Sequence, residues 1–185
     1  GSMPPFSTSL DEEGVLFTNF KLVDGQGVDR PGRLREAECL AILTGGPHPA
    51  RNPQQNLADL KAQIAANEKG REELLRMVDQ FGLEVVQAYM RHVQDNAEES
   101  VRRVITVLQD GSFDYRLDNG ALIRVRITVD RATRGATIDF TGTSAQLPNN
   151  FNAPSAICVA AVLYVFRTLV EDEIPLNAGC LKPLD

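Results

Sequence analysis

The chain has 185 residues, 43% of them hydrophobic, which suffices for one domain, or one domain and a piece of another, with a real core. Acidic residues outnumber basic ones by 25 to 19, and no long basic run breaks that balance, so nucleic acid and anionic membrane surfaces are excluded as expected partners. The three cysteines are odd in number and far apart, without a CxxC pair, so neither a disulfide framework nor a zinc knuckle is expected and the cytoplasm is the default compartment.

Taken in chain order, residues 1–51 form an irregular N-terminal segment with a short helix. GVLFTNFKLV reads as a strand that leads into a loop around DGQGVDRPG, and LREAECLAILTGG reads as a helix that stops at Gly45-Gly46. The three prolines of PHPARNPQ and its neighbourhood make a linker. Residues 52–110 carry the two strongest helix patterns, Asn52 to Gln80 and Leu83 to Leu108, separated by Phe81-Gly82. In the second, Leu83, Val86, Met90, Val93, Ala97, Val101, Val104 and Leu108 recur at steps of three and four, one apolar seam along a rod of roughly 40 Å. An antiparallel helical hairpin is the expected packing.

In residues 111–185 the period changes to two. FDYRL, the turn DNG, ALIRVRITV and ATIDF spell a three-stranded antiparallel meander with an Asn-Gly hairpin turn. The loop TGTSAQLPNNFNAP follows, and SAICVAAVLYVFRTLV, starting at Asn152 or Ala153, is a helix apolar enough to require burial on most sides. Its apolar stretch, Ile157 to Val170, is interrupted by Arg167 and too short to span a bilayer, and no signal-peptide pattern opens the sequence. The fold class is therefore α+β: a long antiparallel helical hairpin, a short antiparallel β-meander and a buried C-terminal helix.

Two polar clusters are candidates for chemistry. Asn56, Asp59, Gln63 and Asn67 fall within about 80° of one another on the first long helix, beside the stripe of Leu57, Leu60 and Ile64. Carboxamides with one carboxylate suit either a partly buried hydrogen-bond network or the wall of a pocket for a neutral polar ligand such as a lactam. The second cluster is the loop, where Asn150 and Asn152 stand just before a helix start. Free backbone N–H groups and side-chain amides there could hold a carboxylate or an oxyanion; equally, Asn152 could be the N-cap, with the loop's polar groups satisfying its own backbone. His92 lies opposite the apolar seam and His48 in the proline linker, both expected in solvent, and Cys180 reads as a buried structural thiol. No GxxxxGK[ST] phosphate loop and no GxGxxG occurs, and no catalytic residue or metal ligand can be named.

The segments SMPPFSTSLDEEGV, RNPQQNLADLKAQIAAN, VQAYMRHVQDNAEESVRRVI, IDFTGTSAQLPNNFNAPSAICVAAVLY and IPLNAGCLKPL together resemble the hydantoinase B/5-oxoprolinase family, over essentially the whole chain. The likeness is closest to the B-like half of the bacterial single-chain, ATP-dependent members. It implies an internal piece of a much longer polypeptide, with Gly1-Ser2-Met3 either a native GSMPP turn or a cloning scar. It also implies hydrolysis of a cyclic amide: ATP activates the ring of 5-oxo-L-proline, water opens it, and L-glutamate results. ATP and a divalent cation, Mg by expectation, are then bound mainly outside this segment, and the piece by itself is expected to be inactive. The partners implied are the cyclic amide and a hydantoinase A-like ATP-binding half, in the same or a separate chain, with a homo-oligomer left open. On this resemblance Asp59, Gln63, Asn67, Asn150 and Asn152 become candidate substrate-binding residues. The competing readings are the B subunit of an N-methylhydantoinase and a non-catalytic helical interaction module.

Overall fold

The computed structural model describes residues 6–25 and 32–185. Gly1-Ser2-Met3 and most of the loop expected around DGQGVDRPG lie outside the described residues. The chain divides into two compact units, one of Gly1–Arg76 with Leu147–Asn152, the other of Met77–Gln146 with Ala153–Asp185. Both contain helix and antiparallel strand, so the fold class is α+β as the sequence indicates.

In the first unit a 3-10 turn at Leu10–Glu12 is followed by a two-stranded antiparallel ribbon, β1 (Val23–Asp24) and β2 (Arg33–Leu34). The strand expected over GVLFTNFKLV is reduced to its end, and its aromatics pack as loop residues instead. Helix α1 (Glu36–Thr44) ends at Gly45, as expected, with the Gly45 N–H on the Ile42 carbonyl. Helix α2 (Pro53–Phe81) begins where its chemistry dictates. The Asn52 side chain accepts from the Gln55 N–H (3.2 Å), the Asn52 carbonyl accepts the first helical bond from Asn56, and Pro53 sits at the first helical position, where no N–H is needed. The core of this unit is Cys39, Leu43 and Leu57, with Phe17, Phe20, Leu22, Leu40, Ala50 and Leu60 around them. The guanidinium of Arg35 lies over the Phe20 ring, 4.6 Å from its centre, and pairs with Glu38.

In the second unit Gly82, at φ 83°, separates the end of α2 from α3 (Leu83–Val107), a left-handed backbone that favours glycine. The expected meander is present: β3 (Gly111–Arg116), β4 (Leu122–Asp130) and β5 (Gly135–Asp139), in that order and antiparallel. Gly120 at φ 83° and the Asn119 carboxamide, which accepts from the Ala121 N–H, close the first turn. Helix α4 (Ser155–Thr168) follows, then a 3-10 turn at Ala178–Leu181. The last residues run parallel to β5: Leu184 bridges Ala136, and Ile138 donates to the Asp185 carbonyl (2.7 Å). The core gathers Ala97, Val101 and Ile105 of α3, Ala136 of β5, Phe166 of α4, and Val170, Ile174 and Cys180.

The two long helices exist within a residue of their expected bounds. Within the second unit α3 packs on the Ala178–Leu181 turn, α4 and β5. Periodicity shows that a face is apolar and leaves open which element covers it. One packing expectation needs correction. Helix α4 is not buried on most sides: Phe166 is its one buried residue, while Ile157, Val159, Tyr164 and Val165 are exposed. The apolarity is real, and the described residues cover only the side that carries Phe166.

Candidate functional site

The polar strip of α2 lies in solvent. Asp59, Gln63 and Asn67 are all exposed, on the helix that buries Leu57. Within the strip, the Gln55 amide donates to Asp59 Oδ1 at 2.8 Å, a single helical turn away. That bond orients the Asp59 carboxylate. The cationic residues stand elsewhere: Lys61 pairs with Glu36 at 2.8 Å, and Arg71 and Arg76 pair with Glu68 and Glu73. The strip is thus a neutral amide surface with one carboxylate, held by nothing stronger than its own helix.

The polar loop has two parts, and each mostly holds itself. In the second unit, Thr143 and Ser144 continue the pairing along β4 after β5 has ended. Arg124 N–H donates to Thr143 Oγ1 (3.0 Å), which donates in turn to the Arg124 carbonyl (3.1 Å), and Leu122 and Ser144 exchange a similar pair of bonds at 2.8 Å. Gly142, at φ 94°, lets the Arg124 side chain pass: an added Cβ would lie 3.0 Å from its Cδ. Asp139 accepts from the Thr141 N–H at 2.8 Å, and hydrogen bonding by Thr141 holds its carboxyl below the usual range. The hydroxyls of this part are therefore backbone staples.

The other part, Leu147–Asn152, belongs to the first unit, the unit of the polar strip. Asn152 accepts from the Leu147 N–H (2.8 Å) and donates to the carbonyls of Leu147 (3.0 Å) and Asn149 (2.6 Å). Asn149 accepts from the Phe151 N–H at 2.9 Å. This corrects the capping reading: Asn152 closes a loop, while α4 starts at Ser155 with Pro154 in the cap position and no side-chain cap. Asn150 is half-buried, as Asn149 is, and its Oδ1 is withdrawn from solvent. Its burial carried no signal in the sequence, where it is one asparagine among three.

The remaining candidates fall where the sequence placed them. His48 and His92 are exposed, the latter against Tyr89 with ring centres 5.8 Å apart. Cys180 is fully buried, as is Cys39, whose thiol is pushed up by burial. Among the described residues no group of three or more His, Cys, Asp or Glu could hold a metal ion, and no helix is long and apolar enough to cross a membrane.

The chain matches the model of the Hydantoinase B/oxoprolinase family over residues 1–185. It is 39% identical to 5-oxoprolinase 1 of Arabidopsis thaliana and 38% identical to the 5-oxoprolinase of Dictyostelium discoideum, in each case over 100% of this chain but only 16% and 14% of those proteins. A putative D-/L-hydantoinase B subunit of Pseudomonas is 28% identical over 72% of the chain and 26% of its own length. Among solved structures, the ATP-dependent caprolactamase of Pseudomonas jessenii superposes with a TM-score of 0.69 at 20% identity, covering 98% of this chain and 30% of that one, a likeness of fold. The chain thus spans about a sixth of the two 5-oxoprolinases, and it belongs to the hydantoinase B/oxoprolinase family.

Proposed function

We propose that this chain is part of the B-like half of a cyclic amide hydrolase that opens the lactam ring of 5-oxo-L-proline to give L-glutamate. The observation that carries the reading is identity along the whole chain to proteins named 5-oxoprolinase, 39% and 38% in the two cited, against 28% over a shorter stretch for the hydantoinase relative. The hydantoinase reading is the weaker one for that reason. ATP, handled by a hydantoinase A-like half, and a divalent cation, Mg by expectation, would supply activation of the ring amide, both bound mainly outside these residues. The cytoplasm is the compartment that suits such an enzyme.

A ring amide with a carboxylate calls for neutral donors, an anion site and stabilisation of an oxyanion. On this reading Gln63 and Asn67 offer amides to the ring, Asp59 is oriented by Gln55, and Asn150 contributes from the loop. Asn152 acts as a positioning residue, since its carboxamide is engaged with Leu147 and Asn149. The experiment compares ATP-dependent glutamate release from 5-oxoproline by the complete gene product and by the 185-residue chain. Activity confined to the complete product is expected; acceptance of N-methylhydantoin in place of 5-oxoproline would move the assignment to the hydantoinase branch. In the complete product, Asp59→Ala or Asn150→Ala should lower kcat/KM by about tenfold or more with little loss of folded protein. Unchanged kinetics in both would return these residues to the structural network.

A further inference from the structure

The turn between β3 and β4 carries the chain's single Asn-Gly pair, Asn119-Gly120, both residues exposed. The Gly120 N–H donates to the Leu117 carbonyl at 2.9 Å, and the Leu117 N–H donates to the Ala121 carbonyl at 2.8 Å. Asn119 Oδ1 accepts from the Ala121 N–H at 3.0 Å, and Gly120 holds φ at 83°. Two of these bonds engage the very groups that an Asn-Gly pair uses to react with itself.

In an open chain the backbone nitrogen of a glycine attacks the side-chain carbonyl carbon of the asparagine before it. A proton leaves the nitrogen, ammonia leaves the carboxamide, and a five-membered succinimide joins the two residues. Water then opens the ring at either carbonyl to give aspartate or isoaspartate, so one water enters and one ammonia departs. Glycine permits this best because no Cβ hinders the approach. Elsewhere in the chain, Asn52 precedes Pro53, whose nitrogen has no proton to lose, and every other asparagine precedes a residue with a side chain.

We propose that Asn119-Gly120 is a site of self-modification that the β3–β4 turn holds closed, so that deamidation there proceeds only through opening of the turn. The nucleophile is withheld because the Gly120 N–H is engaged by Leu117, and the electrophile because the Asn119 carboxamide is held toward Ala121. Neither bond involves a residue outside 117–121. The restraint is therefore local, and its strength is that of the turn alone. The two products differ in what they do to the sheet. Aspartate keeps an oxygen for the Ala121 N–H. Isoaspartate runs the main chain through the former side chain, one methylene longer, so the Leu117–Ala121 rung that sets the register of β3 on β4 can no longer close at the same spacing.

The test follows the tryptic peptide Leu117–Arg124 of the complete gene product through incubation in mildly alkaline buffer, native and unfolded in urea. Mass spectrometry reads the exchange of carboxamide for carboxylate, and chromatography separates the aspartate and isoaspartate forms. The native protein should deamidate there about tenfold more slowly than the unfolded one, or slower still. Ala121→Pro removes the donor to Asn119 and restricts Gly120 before it, while leaving the Ala121 carbonyl for Leu117. It should bring the native rate most of the way to the unfolded rate, with a urea titration confirming that the variant is folded. Hydrogen exchange gives a measure that needs no variant, since the Gly120 amide must open before it can attack. Equal deamidation of native and unfolded protein overturns the proposal, and so does a Gly120 amide that exchanges at the rate of a free peptide. A native rate that Ala121→Pro leaves unchanged overturns it as well, by placing the restraint in residues beyond the turn.

Discussion

Gly179 shows how a single residue fixes a packing distance. It stands in the 3-10 turn of NAGCL, with its N–H on the Asn177 carboxamide at 2.8 Å, and a Cβ added there would meet the Gln94 carbonyl of α3 at 2.1 Å. Backbone oxygen on a helix cannot step aside without moving the helix. Gly179→Ala should therefore cost about 1–3 kcal/mol in a urea titration, the ordinary penalty of overpacking. An unchanged midpoint would mean that the turn stands further from α3. Arg134 is a second such residue: it holds a left-handed backbone at φ 52° while its guanidinium binds both oxygens of Glu99 at 2.9 Å. Neither role is visible in sequence, where a glycine and an arginine in turns admit many explanations.

At the scale of elements, charge does what hydrophobic contact does elsewhere. Helix α3 holds the β4–β5 turn through Arg102, which donates to the Thr133 carbonyl at 2.6 Å and to Glu98, and through the Glu99–Arg134 pair. Lys182 reaches Asp95 and Glu98 from the chain's last turn at 3.1 and 3.3 Å. Hydrogen bonding by Arg102 holds the Glu98 carboxyl below its ordinary value of 4.5, and Arg134 does the same for Glu99. A depressed folded-state pKa contributes stability that is present above the unfolded value and lost as pH falls through the folded one. The midpoint in urea should therefore begin to fall below about pH 4.5 and go on falling with further acid. Glu98→Gln should flatten that slope while changing less near neutrality, where exposed partners and salt weaken such pairs. An acid slope identical in the variant would show that Glu98 is not among the groups that set it. The i,i+4 spacing of Glu98 and Arg102 was legible in the sequence. Their reach to Thr133 and Lys182 was not, because it depends on which turn the fold brings to that flank.

Across the whole molecule, elements were legible where the signal was local, and packing was not. The meander follows from alternation and an Asn-Gly turn, and α2 begins at Asn52-Pro53 for reasons present in those residues. Which surface α3 covers, and whether α4 is enclosed, depends on neighbours no period names: Leu83, Met90 and Val93 of the expected seam are exposed, while Ala97, Val101 and Ile105 are buried. The polar clusters were legible to the same degree, since their residues could be picked out by type but not the contacts they make, as Asn152 shows by stapling its own loop. The two cores share no side chain: Cys39, Leu43 and Leu57 form one, and Ala97, Val101, Ile105, Ala136 and Phe166 belong to the other. Leu57, 2% exposed at the first core, carries more of the helix's burial than half-buried Leu60. Leu57→Ala should cost about 2–5 kcal/mol, as a buried leucine does when its site cannot collapse. Because the lost contacts all lie in the first unit, hydrogen exchange should quicken at amides of α1, Leu43 among them, and stay near its native rate at Ala136 and Ile138. The N–H groups of those two β5 residues are held by Pro183 and Asp185, all within the second unit. Equal quickening at both places would instead mean that the chain unfolds as one cooperative body, with α2 transmitting the loss across Arg76 and Met77.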